Sequence, residues 1–380
     1  MWFARLGSMH LAEKVPQINW FLVLLLTAIS GIGFAMLYSA ANGNLDPWAF
    51  RQMVRFSVGT LLMIAVALTD IRLLLRYSYA AYALSLALLI VVEVAGEIGM
   101  GAQRWIDVGL FQIQPSEIVK VTLVMALARY FHGLTPEEIR RPSVIFVPAL
   151  LVLAPVGLVL RQPDLGTAMI LMLVGAIMCF LGGIRMWKFM VAIAGGFAAI
   201  PVAWQFLHDY QKRRVLTFLN PESDPLGSGY HILQSKIALG SGGIFGKGFL
   251  AGTQSHLNFL PEKQTDFIFT MLAEEFGIVG GLTLIGLFVL VLIYGLSIAM
   301  RCRHQFGRLL AMGITSAFFM SMFINVAMVM GLIPVVGAPL PLVSYGGSAM
   351  LTIMIGFGLV ISAYVHRDIR IPRRTTILDT

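Results

Sequence analysis

Apolar residues run along this chain in blocks of about twenty, separated by short polar connections, with neither the two-residue alternation of a strand nor the one-sided stripe of a surface helix. A block that is apolar all round suits a helix surrounded by lipid or protein, and about 20 residues cross the roughly 30 Å hydrocarbon core of a bilayer. The pattern predicts ten spans, over 18–39, 53–69, 74–95, 115–131, 144–160, 165–182, 187–207, 266–299, 308–332 and 348–366. The first block, Trp20 to Leu37, is longer than the roughly 7–15 residues of a signal-peptide core. It is read as a retained helix, although Ser39-Ala40-Ala41 resembles a weak cleavage site.

Two stretches depart from this pattern. Loop 208–265, between the seventh and eighth spans, is the one connection long enough to hold a site outside the membrane. Within it, Tyr230 to Leu239 mixes apolar and polar residues at helical spacing, which predicts a short amphipathic helix in the interface plane, and a glycine-rich turn, Gly240 to Gly248, follows. Before the last span, Gly331 to Ser348 carries three prolines and four glycines, which demands irregular backbone. At membrane depth such backbone must pack on protein or line a cavity.

Composition agrees with lipid as the solvent: of 380 residues, 58% are hydrophobic and only 12% charged, against about 25% charged in soluble domains. The net charge of +8 would suggest nucleic acid in a soluble protein, but in a membrane protein the placement of charge matters more. With the N-terminus in the cytoplasm, 16 of the 27 basic residues fall inside, among them Lys14, Arg72, Arg76, Arg129, Arg140, Arg141, Arg185, Lys188, Arg303 and Arg367. Only five, Arg51, Arg55, Arg104, Lys120 and Arg161, lie at short outer connections or their edges. This bias places both termini inside and the long loop outside, and nucleic-acid binding is excluded as a function. The two cysteines, Cys179 and Cys302, both near inner ends, predict neither a disulfide nor a thiolate metal cluster.

Ionisable groups at membrane depth are costly and need a partner or a task. Glu117 and Lys120 stand at i and i+3, on one face and within ion-pair reach, which fits a neutralised pair. Asp164, just after a proline where the sixth span begins, fits an N-terminal cap. At the mouth of the eighth span, Thr265 or Asp266 could also cap, but Asp266 stands at the water boundary among lysines and glycine-rich backbone. Glu274 and Glu275, about two turns deeper, are read as packing or hydrogen-bonding groups. One carboxylate is enough for glycosyl transfer from a pyrophosphate donor, because pyrophosphate leaves without a general acid.

The blocks Gly101-Ala-Gln-Arg-Trp-Ile-Asp-Val-Gly109, Gln114-Pro-Ser-Glu117, Arg161-Gln-Pro-Asp-Leu-Gly-Thr167, Gln234-Ser-Lys236, Pro261-Glu-Lys-Gln-Thr-Asp-Phe-Ile-Phe269, Ala273-Glu-Glu-Phe-Gly277 and Pro341-Leu-Val-Ser-Tyr-Gly-Gly-Ser348 occur in this order over nearly the whole chain. In them the sequence resembles the SEDS family (shape, elongation, division, sporulation), on its RodA branch. The resemblance implies a single all-α polytopic membrane domain over 1–380, in which loop 208–265 leads to the catalytic region. It implies an inverting peptidoglycan glycosyltransferase that polymerises lipid II into β-1,4 glycan strands during elongation, releasing undecaprenyl pyrophosphate. A class B penicillin-binding protein and the elongation machinery are the implied partners. Asp266 matches the family's essential aspartate and would be the general base. Glu117, Lys120 and Asp164 match further functional positions, and Arg104, Arg161, Gln234, Lys236, Lys263 and Ser344 fall within or beside the matching blocks as substrate-binding or supporting candidates. Asp266, with Glu262, is alternatively a ligand for Mg²⁺ or Mn²⁺ shared with pyrophosphate. Two rival functions are a lipid II flippase and a non-catalytic scaffold for the crosslinking partner.

Overall fold

A computed structural model of the chain describes residues 11–95, 97–99, 102–107, 112–206, 212, 216–218, 228–256 and 262–373. Several sequence features lie outside the described residues: Arg5 and Arg374 of the charge count, Gly101 and 108–109 of the first block, Arg213 and Arg214, and Pro261.

All ten expected spans are helices: α1 (Trp20–Ala40), α2 (Ala49–Ala67), α3 (Ile71–Ala95), α4 (Pro115–His132), α5 (Phe146–Arg161), α6 (Leu165–Leu181), α7 (Met186–Phe206), α9 (Ile268–Arg301), α10 (Gln305–Val329) and α11 (Gly347–Val365). The amphipathic segment of the long loop is α8 (Ser228–Ser241). Seven of the ten are long and apolar enough to cross a membrane by length and composition. The other three are α4, which carries Glu117, Lys120 and Arg129, and the apolar helices α6 and α7. Between α3 and α4 lie three short antiparallel strands that the apolar pattern did not reveal, Glu97–Gly99, Ala102–Asp107 and Gln112–Ile113, in sequence order.

The core lies along α4, α10 and α11. The apolar window of α11 is 72% buried, against 22% in α2 on the rim, so α11 packs on protein where α2 is left for lipid. Leu123 to Ala128 of α4, Phe306 and Leu310 of α10, and Phe357 of α11 are enclosed, and Phe318 meets Phe288 and Phe357 with ring centroids 5.0 Å apart. α1 packs on α9, where Phe21 stacks on Tyr294 at 4.6 Å, so the first apolar block is part of the bundle.

Groups assigned to the inner side gather at one end. Lys14 Nζ donates to the Leu68 carbonyl (2.9 Å), Arg129 to that of Arg76 (2.6 Å), Lys188 to that of Arg141 (3.2 Å), and the Arg303 amide to that of Arg367 (3.0 Å). His304 caps α10 there: its Nδ1 accepts from the Gly307 amide at 2.9 Å, which leaves the ring proton on Nε2, 3.3 Å from the His366 carbonyl. Burial lowers its pKa to about 4, reinforced by His132, His366 and Arg308. Both cysteines are free thiols.

The long helix α9 is broken at Gly277, whose φ of 66° and ψ of −161° suit glycine. A break in a membrane helix strands backbone groups that water cannot reach. Here the glycine-rich turn supplies partners: the Ile278 and Val279 amides donate to the Gly243 and Ile244 carbonyls (3.0 and 3.1 Å). In return the Lys247 and Gly248 amides donate to the Glu274 and Glu275 carbonyls (3.1 and 3.0 Å). The contact is so close that a Cβ on Gly242 would stand 2.1 Å from the Ala273 carbonyl oxygen, which accounts for the turn's composition.

Candidate active site

Asp266 lies in the turn 262–267 that delivers the chain to α9. The N-cap residue of α9 is Phe267, whose ring cannot cap, and Asp266 directly precedes it. Thr265 Oγ1 bonds back to Glu262, whose carboxylate also accepts from Gln264 (3.2 Å), closing the turn on itself. Asp266 is partly exposed, while Lys263 in the same turn is 7% exposed and its pKa is lowered by burial.

The turn is held from outside by the irregular segment before α11. Ser344 Oγ donates to the Thr265 carbonyl and accepts from the Leu340 amide (2.8 Å), and the Tyr345 amide donates to the Gln264 carbonyl (2.9 Å). Asn325 of α10 donates to the carbonyls of Asp266 (2.8 Å) and Ala338 (2.7 Å). The Asp266 carboxylate borders Gly337, where an added Cβ would stand 3.5 Å from Oδ2. Gln52 of α2 fixes the far end of the segment, donating to the Ser344 carbonyl at 3.0 Å. Asn325 and Gln52 escaped sequence reasoning because they are uncharged. Their signal is a lone amide in an apolar helix, which at membrane depth also needs a partner.

Behind this segment lies a cleft with about 670 Å³ of empty space, partly open to solvent, between α2, α4, α10 and α11. Its walls are mostly apolar, and Glu117, Lys120, Gln52, Ser321, Ser344 and Thr352 are its polar members. Lys120 Nζ stands 2.8 Å from Glu117 Oε1, with side-chain exposures of 14% and 5%, so the expected pair is formed and shielded from water. Ser344 therefore touches both the cleft and the Asp266 turn.

The remaining candidates lie outside this turn and do not line the cleft. Asp164 is 2% exposed and caps α6, accepting from the Thr167 amide (3.1 Å) and hydroxyl (2.9 Å). Arg104 donates to the Gln162 (3.0 Å) and Pro163 (2.6 Å) carbonyls of the turn before Asp164, and Arg161 pairs with Glu93 at 3.2 Å on the surface. On α8, Ser235 is the inward residue, bonded to Thr270 (2.9 Å) and the Val329 carbonyl (2.7 Å); Gln234 and Lys236 flank it, Lys236 lying across Gly331. Glu274 and Glu275 are fully buried, as expected of supporting groups. Glu274 accepts from Lys247 (2.8 Å), Thr253 (3.2 Å) and the Gln254 amide (2.9 Å), and Glu275 from Ser39 of α1.

Among the described residues no group of three or more His, Cys, Asp or Glu side chains is arranged to hold a metal. Glu262 uses Oε2 to close its turn, so a cation at this site would draw on Asp266, the other Glu262 oxygen and oxygens of the substrate.

A polytopic helical bundle that fixes one partly exposed carboxylate beside an apolar cleft defines a membrane-embedded enzyme for amphiphilic substrates. The FtsW–RodA–SpoVE model, described as cell cycle protein, matches residues 17–369, and the chain belongs to this family, the SEDS family, on its RodA branch. It is 44% identical to the peptidoglycan glycosyltransferase MrdB of Escherichia coli (strain K12) over 349 residues, covering 91% of this chain and 93% of that protein. It is 32% identical to the peptidoglycan glycosyltransferase RodA of Treponema pallidum, covering 92% and 98% of the two chains. Two solved structures are similar. One comes from work on polymerisation and crosslinking by a peptidoglycan synthase complex (TM-score 0.80, 36% identity, 92% of this chain and 98% of that one). The other is the rod shape determining protein RodA of Thermus thermophilus (TM-score 0.71, 30% identity, 93% and 98%).

Proposed function

We infer that this chain is a peptidoglycan glycosyltransferase of cell elongation, a multi-pass membrane enzyme that lengthens glycan strands from a lipid-pyrophosphate-linked donor. Within that activity, Asp266 is the general base. It takes the proton from the 4-hydroxyl of the acceptor sugar as that oxygen bonds to the anomeric carbon of the donor lipid II. The bond from that carbon to the pyrophosphate oxygen breaks, undecaprenyl pyrophosphate leaves with the electron pair, and configuration inverts. The proton then passes from the carboxyl to water.

The observation that carries this reading is the way the fold places Asp266: it is held through its backbone carbonyl by Asn325 and stays partly exposed beside Gly337, while Thr265 and Glu262 close the turn. The cleft beside it has the apolar lining that suits a polyprenyl chain, with Glu117 and Lys120 as its buried charges. The clustering of basic residues at the opposite end supports an extracytoplasmic site with both termini in the cytoplasm. A class B penicillin-binding protein is the proposed partner, because one similar structure comes from a complex that couples polymerisation to crosslinking. A divalent cation bridging Asp266 and pyrophosphate is compatible with the same carboxylate. The test is polymerisation of labelled lipid II by the purified chain with its class B partner, crosslinking silenced by a penicillin. Wild type should give a ladder of glycan strands and Asp266→Ala none; equal ladders would remove Asp266 from the chemistry.

A further inference from the structure

We propose that Asn325 is the positioning residue of the reaction, an amide that sets Asp266 at its working place against the segment before α11. Its side chain lies within α10, fully enclosed by protein. Its Nδ2 donates to two carbonyls that are far apart in sequence, those of Asp266 at 2.8 Å and Ala338 at 2.7 Å. Both partners are acceptors, so the amide can present only its NH₂ group to them, and its orientation is settled by chemistry.

The two bonded residues are the reactive carboxylate's own residue and the neighbour of Gly337, which borders Oδ2. One side chain therefore ties together the two backbones whose separation decides where the carboxylate stands. Ser344 and Tyr345 hold the turn through Thr265 and Gln264, one and two residues earlier, and neither reaches Asp266 itself. The other end of the amide carries a cost: Asn325 Oδ1 is buried with no hydrogen-bond partner. A buried unsatisfied acceptor is unfavourable, and an apolar residue of similar size would avoid it only by leaving the Asp266 and Ala338 carbonyls without their donor.

The proposal rests on Asp266 being the base, and its test separates the two ideas. Initial rates of lipid II polymerisation are measured as a function of substrate for wild type, Asn325→Ala, Asn325→Asp and Asp266→Ala, each purified with the class B partner, together with the melting temperature of each complex. Asn325→Asp keeps the volume and replaces the NH₂ that spans the two carbonyls by a carboxyl, which can donate to one of them at most. Both Asn325 variants should lower kcat by about 10- to 100-fold with KM little changed, since a misplacement of about 1 Å costs on that scale. Their melting transitions should stay cooperative but move down, since each variant leaves the Asp266 and Ala338 carbonyls short of donors. Full activity in Asp266→Ala would overturn the base assignment and the positioning role with it. Loss in Asp266→Ala but wild-type kcat in both Asn325 variants would overturn the positioning role alone. A rise in KM at constant kcat, or collapse of the melting transition in both variants, would make Asn325 a substrate contact or a fold anchor and would equally refute the proposal.

Discussion

Asp164 and Asp266 read alike in sequence: each is a carboxylate just ahead of an apolar helix, and capping suffices to explain either. The structure separates them. Asp164 is enclosed and spends both oxygens on Thr167, so α6 begins with a satisfied cap. Asp266 is partly exposed and is held by its main-chain carbonyl from α10. A carboxylate that its own helix consumes cannot take a proton from a substrate. One that the fold positions through the backbone, with its side chain partly exposed, can.

The comparison can be broken most severely at the charges beneath Asp266. Replacing Lys120 by alanine leaves Glu117 buried without its partner, and loss of one member of a buried pair costs about 3–5 kcal/mol. Detergent-solubilised Lys120→Ala should therefore melt well below wild type, and the double change Glu117→Leu/Lys120→Leu should recover much of the loss. If the single variant melted like wild type, the pair would not be shielded as described.

A smaller effect sharpens the other side of the contrast. Asp164→Ala removes an N-cap and should cost about 1 kcal/mol in thermal stability, while glycan synthesis per folded molecule is largely retained. Strand synthesis abolished at unchanged stability would transfer a chemical role to Asp164.

The smallest expected effect concerns the opposite end, where another side chain is consumed by capping. The folded pKa of His304, about 4, lies below its unfolded value, so the unfolded chain binds the extra proton first as pH falls through about 6.5. Stability is undiminished above that pH and declines from there down to about 4, by just under about 1 kcal/mol at pH 6. His304→Asn, which keeps a capping oxygen, should flatten this part of the melting-temperature profile. An unchanged profile would dismiss His304 as its source.

Much of this architecture is written in the apolar blocks, because in lipid every block of sufficient length must close its backbone bonds as a helix. The ten helices, the amphipathic α8 and the irregular Gly331–Ser348 segment follow from that constraint. The break at Gly277 does not. Its sequence, Phe276-Gly-Ile-Val-Gly, continues an apolar run, and the carbonyls that make the break tolerable come from Gly243 and Ile244, more than thirty residues earlier. The strands between α3 and α4 are too short to carry a readable alternation. At the site, the charged candidates were visible because charge is expensive at membrane depth, but which of them the fold consumes depends on partners distant in sequence. Arg104 holding the Gln162 turn, and Asn325 and Ser344 holding the Asp266 turn, are relations of that kind.

The most direct measurement places Asp266→Asn and Asp164→Asn side by side in single-turnover polymerisation of labelled lipid II, with melting temperatures for both. Asparagine is nearly isosteric with aspartate and caps helices about as well, but it cannot act as a base. The account predicts that Asp266→Asn loses strand synthesis by at least about 100-fold at unchanged melting temperature, while Asp164→Asn stays near wild type in both. Strand synthesis at the wild-type rate in Asp266→Asn would contradict it.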